Sequence, residues 1–469
     1  MREGAVMGSN GDGGAEFDPR DFDSFCFDGI RFDRSSGQAR FEYRLTGRST
    51  VAFTETVGFT LPGQAAETDA ERLDAALHLL GALLGLSYYK AAAPGRFELR
   101  VPLARSAIDY LAAALRSGLA EFAYRNGLPG LLAPEIVPAG GIRDDLASEP
   151  LSATALRRPL VPIGGGKDSV VTVEALAKTG LAVTQFAVRP NSIIRRVAAA
   201  AGLPFVAAER TIDPFLIELN GRGALNGHVP VTAMNSLIAV VQSLLLGLGP
   251  VVMSNERSAS DPTLDWNGVP VNHQWSKSLE AEQLLDRALR GQLGVSGLCF
   301  SLLRPFSELR IARAFSRTDG YDDAIVSCNR AYRMGAGTAS WCGDCDKCRF
   351  IYLAFAPYMP KARLRAILGR DLFADPDQVE GYRQLLGLGR HKPFECVGEE
   401  AECVVAFGLA SRSEEWRDSE VVRLLLEEAP ELQRGDSALE DEVLGVRAGG
   451  GPAVEPPSED YRKARDAVG

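Results

Sequence analysis

The stretch LVPIGGGKDS, residues 160–169, decides the fold: a short apolar run enters three consecutive glycines and continues into a helical pattern. A strand that ends in glycines and opens a helix leaves backbone N–H groups beside the positive end of the helix dipole, which favours a phosphate. Glycine suits the turn because a side chain would hold the phosphate away from the amides. The sequence therefore predicts a phosphate-binding loop made of Gly164, Gly165, Gly166, Lys167, Asp168 and Ser169.

This loop differs from a Walker loop, which needs Ser or Thr directly after its lysine and a glycine six positions before that lysine. Asp168 and Val161 occupy those two places. The loop instead resembles the Ser-Gly-Gly-x-Asp-Ser loop of ATP pyrophosphatases, enzymes that cleave ATP between its α and β phosphates and transfer AMP. Gly164 stands where that class has its first serine. The alternative interpretation is an ordinary glycine-rich turn between a strand and a helix.

Strand-like and helical patterns alternate outward from the loop. Strands are predicted at 160–163, 181–188, 204–208 and 250–254, and helices at 168–178, 192–201 and 231–246. Such alternation predicts an α/β fold with a doubly wound parallel sheet. The resemblance of the loop implies the ATP pyrophosphatase (adenine nucleotide alpha hydrolase-like) type.

The domain organisation is predicted from changes of pattern along 469 residues, a length that favours two or three domains. The predicted segments are a disordered leader at 1–18, an amino-terminal α+β module at 19–150, the ATP pyrophosphatase-like domain with a metal site at 151–349, a helical carboxyl-terminal part at 350–433 and a disordered tail at 434–469.

Charge and composition exclude several classes of protein. A net charge of −10 and the lack of a Lys/Arg-rich run argue against a nucleic-acid partner. The longest apolar run, at 237–248, is too short to span a bilayer, and residues 1–14 lack the pattern of a secretory signal. A cytoplasmic enzyme with a small-molecule substrate is expected.

Four cysteines carry metal-ligand spacing. Cys342, Cys345 and Cys348 form a C-x2-C-x2-C run, and Cys328 lies upstream. In a reducing compartment clustered cysteines bind metal more often than they form disulfides. Four thiolates complete a tetrahedral zinc site with no open position, so a structural zinc is predicted. An iron–sulfur cluster is the alternative, because such a run also ligates those clusters.

The turn after the predicted strand at 250–254 carries a second group of polar residues. In open α/β sheets the ligand lies at the carboxyl ends of the strands, so this turn is expected to face the phosphate loop. Glu256 could hold magnesium or act as a base, and Arg257 could bind phosphate or a substrate carboxylate. A solvated loop with a local ion pair is the alternative.

Two of the four histidines are candidate proton carriers. His228 and His273 both lie in polar loops, and imidazole titrates near neutral pH. A hydrogen-bonded histidine without a catalytic role is the alternative for either one. His78 lies on an amphipathic helix and is expected to be structural, and His391 is given no role.

Six strings of residues together resemble the family of UDP-N-acetylmuramoyl-L-alanyl-L-glutamate epimerases, and the likeness covers about residues 20 to 430. The strings are residues 87–90, 121–127, 164–169, 223–233, 253–260 and 341–345. That family converts the terminal L-Glu of the peptidoglycan precursor UDP-MurNAc-L-Ala-L-Glu to D-Glu, using ATP and magnesium and releasing AMP and pyrophosphate. An acyl-adenylate removes the carboxylate charge that would otherwise oppose loss of the neighbouring α-proton.

The resemblance also implies roles for individual residues. Residues 164–169 would bind the phosphates, and Lys167 or Arg257 would offset charge during AMP transfer. His228 or His273 would move the α-proton, with Lys277 and Glu256 as the next candidates. The expected catalytic set is Lys167, Asp168, Glu256, Arg257, His228 and His273.

Two other functions remain open at this point. One is another pyrophosphatase-loop enzyme similar to 7-cyano-7-deazaguanine synthase, which also pairs the loop with a four-cysteine zinc site but is much shorter. The other is a non-catalytic nucleotide-binding protein that keeps only the fold. Pyrophosphate release, and the substrate on which it depends, would separate the three.

Overall fold

The computed structural model describes residues 6–7, 16–63, 69–128, 132–262, 264–266, 268–332, 340–389, 397–445 and 453–469. Its strands are β1 Val6–Met7, β2 Phe22–Asp33, β3 Gln38–Gly47, β4 Thr50–Gly58, β5 Arg96–Leu99, β6 Leu103–Ala104, β7 Glu135–Val137, β8 Ile142–Arg143, β9 Glu149–Pro150, β10 Leu160–Pro162, β11 Thr184–Val188, β12 Phe205–Thr211, β13 Val251–Met253, β14 Leu264–Trp266, β15 Val269–Val271, β16 Val295–Ser296 and β17 Cys299–Ser301.

The helices pack on both sides of the central sheet. They are α1 Ala70–Leu84, α2 Leu86–Tyr89, α3 Arg105–Arg116, α4 Ala120–Arg125, α5 Ala153–Leu156, α6 Lys167–Ala177, α7 Ser192–Ala201, α8 Pro214–Asn220, α9 Val231–Leu245, α10 Leu279–Leu293, α11 Glu308–Phe315, α12 Asp346–Phe355, α13 Lys361–Leu368, α14 Val379–Leu385, α15 Glu400–Arg412, α16 Glu420–Glu428, α17 Glu431–Arg434, α18 Ser437–Leu444 and α19 Glu459–Val468. Short 3-10 turns occur at Pro19–Asp21, Ser258–Ser260, Trp275–Lys277, Asn329–Tyr332 and Pro376–Gln378.

The central sheet has the strand order β17-β13-β10-β11-β12-β4-β3-β2-β5-β7, with β1 pairing with β4. The strands from β17 to β12 pair in parallel. Read from β12, these five occur in chain order as third, second, first, fourth and fifth. The winding direction therefore reverses between β10 and β13, which is where doubly wound sheets place their ligands.

The sheet does not stop at the predicted boundary near residue 150. β12 pairs antiparallel with β4, through partners such as Arg210 and Val57, and β4, β3 and β2 continue as antiparallel neighbours. The sheet is therefore mixed, and the fold is a mixed α/β fold with a helical carboxyl-terminal part rather than a wholly parallel sheet beside a separate module.

Two hydrophobic cores cover the two faces of the sheet. Successive strand residues point to opposite faces. Leu160, Phe186 and Val251 accordingly join the core that contains α1, α9 and α10. Val161, Ala187 and Val252 join the core that contains α6, α7, α11 and the carboxyl-terminal helices.

The prediction of a disordered tail at 434–469 is wrong for the described residues. α18 and α19 are helices, and α19 packs on α6. Tyr461, Ala464 and Val468 are buried because their spacing places them on one face of α19. Most of the predicted leader lies outside the described residues, but Phe17 is buried and stacks on Phe22.

No helix in the described part of the chain combines the length and the apolar character that crossing a bilayer requires.

Candidate active site

The glycine loop and the turn after β13 lie beside each other at the point where the sheet reverses direction. β10, which leads into the glycine loop, pairs with β13 through Leu160 and Val251. Ser254 follows β13 and donates a hydrogen bond to the hydroxyl of Thr172 on α6, with 2.8 Å between the oxygens. The structure therefore brings together the two loops that the sequence predicts to share a site.

The backbone of the glycine loop leaves the start of α6 accessible. Gly165 has φ +85°, a left-handed conformation that favours glycine. Gly166 is the N-cap residue of α6, and no side chain caps this helix. Gly164 is exposed, and beyond its two chain neighbours no atom of the described residues would lie within 4 Å of a Cβ placed on it. Ser169 donates a hydrogen bond to the carbonyl oxygen of Gly166 at 3.2 Å.

Lys167 lies at the centre of a buried group of charges. Its side chain is 1% exposed and forms ion pairs with Asp168 and Glu308. Lys347 also approaches Glu308, with 3.4 Å between Nζ and Oε1. Although burial opposes it, these lysines lower the pKa of Glu308 to about 2, so Glu308 is a carboxylate. We call Lys167, Asp168, Glu256, Lys277, Glu308 and Lys347 the Lys167 cluster.

Glu256 belongs to this cluster because the charges of Glu308 and Lys277 act on its carboxyl group. Burial raises its pKa, and the charge of Glu308 adds to that effect, while Lys277 opposes it. Arg304, which is 1% exposed, donates to the main-chain oxygens of Glu256 at 2.6 Å and Lys277 at 2.7 Å. Its guanidinium also pairs with Glu282. Arg304 thereby fixes the turn after β13 against the segment that ends in Lys277.

Glu402, on α15, forms a hydrogen bond with the main chain of Glu308. Its carboxyl accepts hydrogen bonds from the main-chain N–H groups of Glu308 at 2.8 Å and Glu399 at 2.9 Å. Burial nevertheless raises the pKa of Glu402 from 4.5 to about 8, and the charges of Glu399 and Glu308 act in the same direction. The helix α15 thus places the protonated carboxyl group of Glu402 beside the Lys167 cluster.

We predict that Glu402 makes the folded protein less stable as the pH rises from about 4.5 to about 8. The unfolded chain loses this proton near pH 4.5, whereas the folded chain keeps it to about pH 8. The stability that the protonated group contributes is therefore complete below pH 4.5 and lost by pH 8. Urea unfolding of Glu402→Gln should show a smaller decrease across this range than the parent protein, and an equal decrease would contradict the assignment.

Among the described residues, the hydrogen bonds of the Arg257 guanidinium go to the end of α18 and not to the glycine loop. Its guanidinium donates to the main-chain oxygens of Glu442 at 3.4 Å and Val443 at 3.3 Å, at the carboxyl end of α18. Arg310 donates to the neighbouring oxygen of Leu444. Cationic side chains commonly satisfy the last carbonyls of a helix. The predicted role of Arg257 at a phosphate or carboxylate would require it to leave these partners.

His228 and His273 lie against each other. Their ring centroids are 4.7 Å apart, and Nδ1 of His273 lies 2.5 Å from a carboxylate oxygen of Glu121. Burial lowers the pKa of His228 to about 4, and His273 contributes to that shift. Glu121, His228 and His273 form what we call the histidine cluster. His273 is joined to the Lys167 cluster by the short 3-10 turn Trp275–Lys277.

The four predicted metal ligands, Cys328, Cys342, Cys345 and Cys348, converge as what we call the four-cysteine site. Their Sγ atoms all lie within 4.8 Å of one another. Three of the sulfur pairs are separated by 3.5, 3.8 and 3.9 Å. A tetrahedral zinc with Zn–S bonds of about 2.3 Å needs sulfur pairs roughly 3.8 Å apart. The site fits a single zinc ion, whereas a multi-iron cluster would hold its thiolates further apart.

The segment that leads into Cys328 of the four-cysteine site contacts the glycine loop. Val326, two residues before Cys328, donates its N–H to the carbonyl oxygen of Gly165 at 3.1 Å. A Cβ on Gly166 would lie 2.6 Å from the hydroxyl of Ser327. A metal bound at Cys328 would therefore hold the segment against which the glycine loop packs.

Sequence reasoning missed several residues of the site. Glu308 follows Ser307, the N-cap of α11, and reads as an ordinary helix start. Lys347 lies within the cysteine run and Glu402 is some 90 positions from Glu308, so spacing gives no signal for either. Glu121 and Lys90 were part of the recognised strings but had no predicted role. His391 and Cys396 lie outside the described residues.

Comparison with known proteins identifies the family. Residues 16–302 match the family model described as the MurL N-terminal domain, and residues 324–440 match the MurL C-terminal domain. No solved structure matches the chain.

Three relatives carry the name UDP-N-acetyl-alpha-D-muramoyl-L-alanyl-L-glutamate epimerase. The protein from Salinispora tropica is 50% identical over 93% of this chain and 94% of its own length. The protein from Micromonospora sp. is 49% identical over 95% and 98%, and that from Xanthomonas oryzae pv. oryzae is 40% identical over 90% and 94%. The predicted resemblance is confirmed, and the chain is an enzyme that belongs to the UDP-N-acetyl-alpha-D-muramoyl-L-alanyl-L-glutamate epimerase family.

Proposed function

We propose that the protein epimerises the terminal L-Glu of UDP-MurNAc-L-Ala-L-Glu to D-Glu in peptidoglycan precursor synthesis, using ATP and magnesium and releasing AMP and pyrophosphate. The names of three relatives support the substrate and the reaction. The position of the glycine loop supports the use of ATP. We further propose that the parallel half of the sheet is of the ATP pyrophosphatase type and that the enzyme works in the cytoplasm.

The observation that carries the proposal is an uncapped helix start at the reversal point of the sheet, with a buried lysine beside it. Helix N-termini and glycine-rich loops bind phosphate through backbone N–H groups and the helix dipole. α6 begins without a side-chain cap, and Lys167 lies in its first turn. A phosphate at this place would meet both the amides and a positive charge.

Adenylation of the substrate carboxylate makes the neighbouring α-proton easier to remove. The α-proton of glutamate lies beside a carboxylate, so its removal would place a second negative charge on the same group. Transfer of AMP from ATP to that carboxylate displaces pyrophosphate and gives an acyl-adenylate, in which the carbonyl group beside the α-carbon carries no negative charge and the α-proton is more acidic. Water later cleaves the acyl–phosphate bond and releases AMP and the inverted acid.

The residues of the Lys167 cluster have clear tasks in this scheme. Lys167 offsets charge on the phosphates during AMP transfer, as preorganised cations do in such reactions. Asp168, Glu256 and Glu308 would offer carboxylate oxygens, which are the ligands that magnesium prefers, to a bound magnesium ion. Glu308 also holds Lys167 in position through their ion pair. His228 or His273 moves the α-proton, and the four-cysteine site is structural.

The decisive experiment is incubation with UDP-MurNAc-L-Ala-L-Glu, ATP and magnesium, followed by hydrolysis and chiral chromatography of the glutamate. We expect D-Glu to form together with AMP and pyrophosphate. Pyrophosphate release that depends instead on a deazapurine acid and ammonia would favour a synthase of the same class. No pyrophosphate release with any of these substrates would contradict the proposal and favour a nucleotide-binding protein without this activity.

Substitutions at Gly164 should separate ATP binding from folding. Because a Cβ at this exposed position would meet no described residue other than its chain neighbours within 4 Å, Gly164→Val should leave the thermal unfolding midpoint nearly unchanged. Its branched side chain would nevertheless keep phosphate from the loop amides and weaken ATP binding at least ~10-fold, or about 1.4 kcal/mol. Calorimetric titration with ATP measures this. Gly164→Ser is the matched control and should bind ATP as tightly as the parent protein. Equal binding of ATP by both variants would mean that the phosphates bind away from this loop.

A further inference from the structure

Three segments distant in the chain meet at the histidine cluster. Glu121 comes from α4, His228 from the loop before α9 and His273 from the loop before the turn Trp275–Lys277. Lys90 holds the loop of His228 by donating to the side-chain oxygen of Asn226 at 2.5 Å and to the main-chain oxygen of Gly227 at 3.1 Å. Asn126 donates to the main-chain oxygen of Asn226 at 3.0 Å. These contacts fix the position of the cluster.

The Glu121 contact determines the tautomer of His273. Although burial opposes it, hydrogen bonds from His273 and Arg125 lower the pKa of Glu121, so this carboxylate can only accept. Nδ1 of His273 must therefore carry a proton, and in the neutral ring the lone pair lies on Nε2. Arg125 pairs with the other oxygen of Glu121 at 2.6 Å and keeps the carboxylate in place.

The two imidazoles are too close to flank a substrate carbon. A carbon atom between two rings would need about 7 Å between them, or two van der Waals contacts of about 3.5 Å. The observed separation of the centroids is 4.7 Å. Two imidazoles at this separation cannot act as opposed bases on the two sides of one carbon atom.

We propose that His228 and His273 form one proton-transfer unit serving a single face of the glutamate α-carbon, with Glu121 as the positioning residue that directs Nε2 of His273 toward the α-proton. This inference rests on the proposed epimerisation. Breaking the α C–H bond transfers the proton to Nε2, and its electron pair moves onto the activated carbonyl. A group outside the pair returns a proton to the opposite face.

A divalent metal held by the same three residues is the competing interpretation, since one ligand atom of each lies within 4.8 Å of the others. The contact of 2.5 Å between Glu121 and His273 is a hydrogen bond that a metal would have to break. Arg125 and Lys90 also place positive charge beside the cluster, and both disfavour the protonated form of His228. A metal cation in addition to these two side chains is therefore disfavoured here.

The test is α-deuterium incorporation in D2O, measured by mass spectrometry from the L-Glu and the D-Glu dipeptide substrates separately. His228→Ala and His273→Ala should both lose exchange from the same epimer and keep exchange from the other. Pyrophosphate release should persist in both variants, because adenylation takes place at the glycine loop. Loss of exchange from opposite epimers would show opposed bases and overturn the proposal.

Glu121→Gln tests the positioning role. We expect kcat to decrease ~10²-fold or more, the usual contribution of a general base, with KM little changed and with exchange lost from the same epimer as in the histidine variants. Glu218→Gln is the matched control, because Glu218 also pairs with an arginine four residues later, but its side chain on α8 is exposed. Unchanged kcat in Glu121→Gln, or one equivalent of metal lost with it, would overturn the proposal.

Two outcomes separate this inference from the proposed function. If the parent enzyme releases no pyrophosphate with UDP-MurNAc-L-Ala-L-Glu, the proposed function itself fails. If it does so while neither histidine substitution alters exchange, only the assignment of the proton carriers fails. Should His273→Ala not fold, His273→Gln keeps a polar side chain beside Glu121 and gives the same measurement.

Discussion

Removal of the zinc that we propose at the four-cysteine site is expected to unfold the carboxyl-terminal helices and to abolish ATP binding. Structural zinc contributes on the order of 10 kcal/mol to folding, which is comparable to the whole stability of a typical domain, ~5–15 kcal/mol. The site joins the segment of Cys328 to the start of α12, and the first of these supports Gly165. Chelator titration followed by circular dichroism, with zinc content measured by mass spectrometry, tests this expectation.

Cysteine substitutions distinguish metal loss from general damage. Cys345→Ser should purify with less than one equivalent of zinc and lose helical signal. Cys403, on α15, is also buried but lies outside the four-cysteine site, so Cys403→Ser should retain its zinc. Full zinc content and normal folding in Cys345→Ser would mean that Cys345 is not a required ligand, and a parent protein that purifies without zinc would mean that the cysteines are ordinary core thiols.

Lys167→Met is expected to lower the free energy of unfolding by ~3–5 kcal/mol and to abolish pyrophosphate release. Removing one partner of a buried ion pair leaves the other charge without compensation. Lys167 neutralises Glu308, which is 4% exposed, and Lys347 at 3.4 Å offsets only part of that loss. Urea unfolding and a pyrophosphate release assay measure the two effects.

Two further variants make this prediction specific. Lys167→Met combined with Glu308→Gln should recover much of the lost stability, because the unpaired charge is gone, but none of the activity. Lys178 is exposed at the other end of α6, and Lys178→Met should change stability by less than ~0.5 kcal/mol. If Lys167→Met still releases pyrophosphate, this lysine has no role in AMP transfer.

Local patterns in the sequence were enough to predict the strands and helices around the glycine loop. The helix predicted at 192–201 is α7, Ser192–Ala201, and that at 231–246 differs from α9 by one residue. These elements carry their own caps and apolar spacing, as Asn191 and Gly202 do for α7. The pairing of β12 with β4 was not predictable, because it depends on contacts 150 residues apart.

The candidate site was predictable only where its residues share a short segment. Residues 164–169 and the cysteine run are each defined by local spacing. Glu308 and Glu402 enter the site through tertiary contacts that no spacing encodes. Arg257 is a different case: its place after a strand predicts a ligand contact, and its guanidinium donates hydrogen bonds to the end of α18.

The pairing of β12 with β4 also limits how the molecule can move and how it can be divided. Hinge bending between the two halves would have to break main-chain hydrogen bonds in the middle of a sheet, so any closure over bound ligands must come from the loops. A fragment that begins after residue 150 would expose β12 as an open edge, and unpaired edges recruit other chains. Such a fragment should aggregate when expressed alone, whatever its own core could sustain.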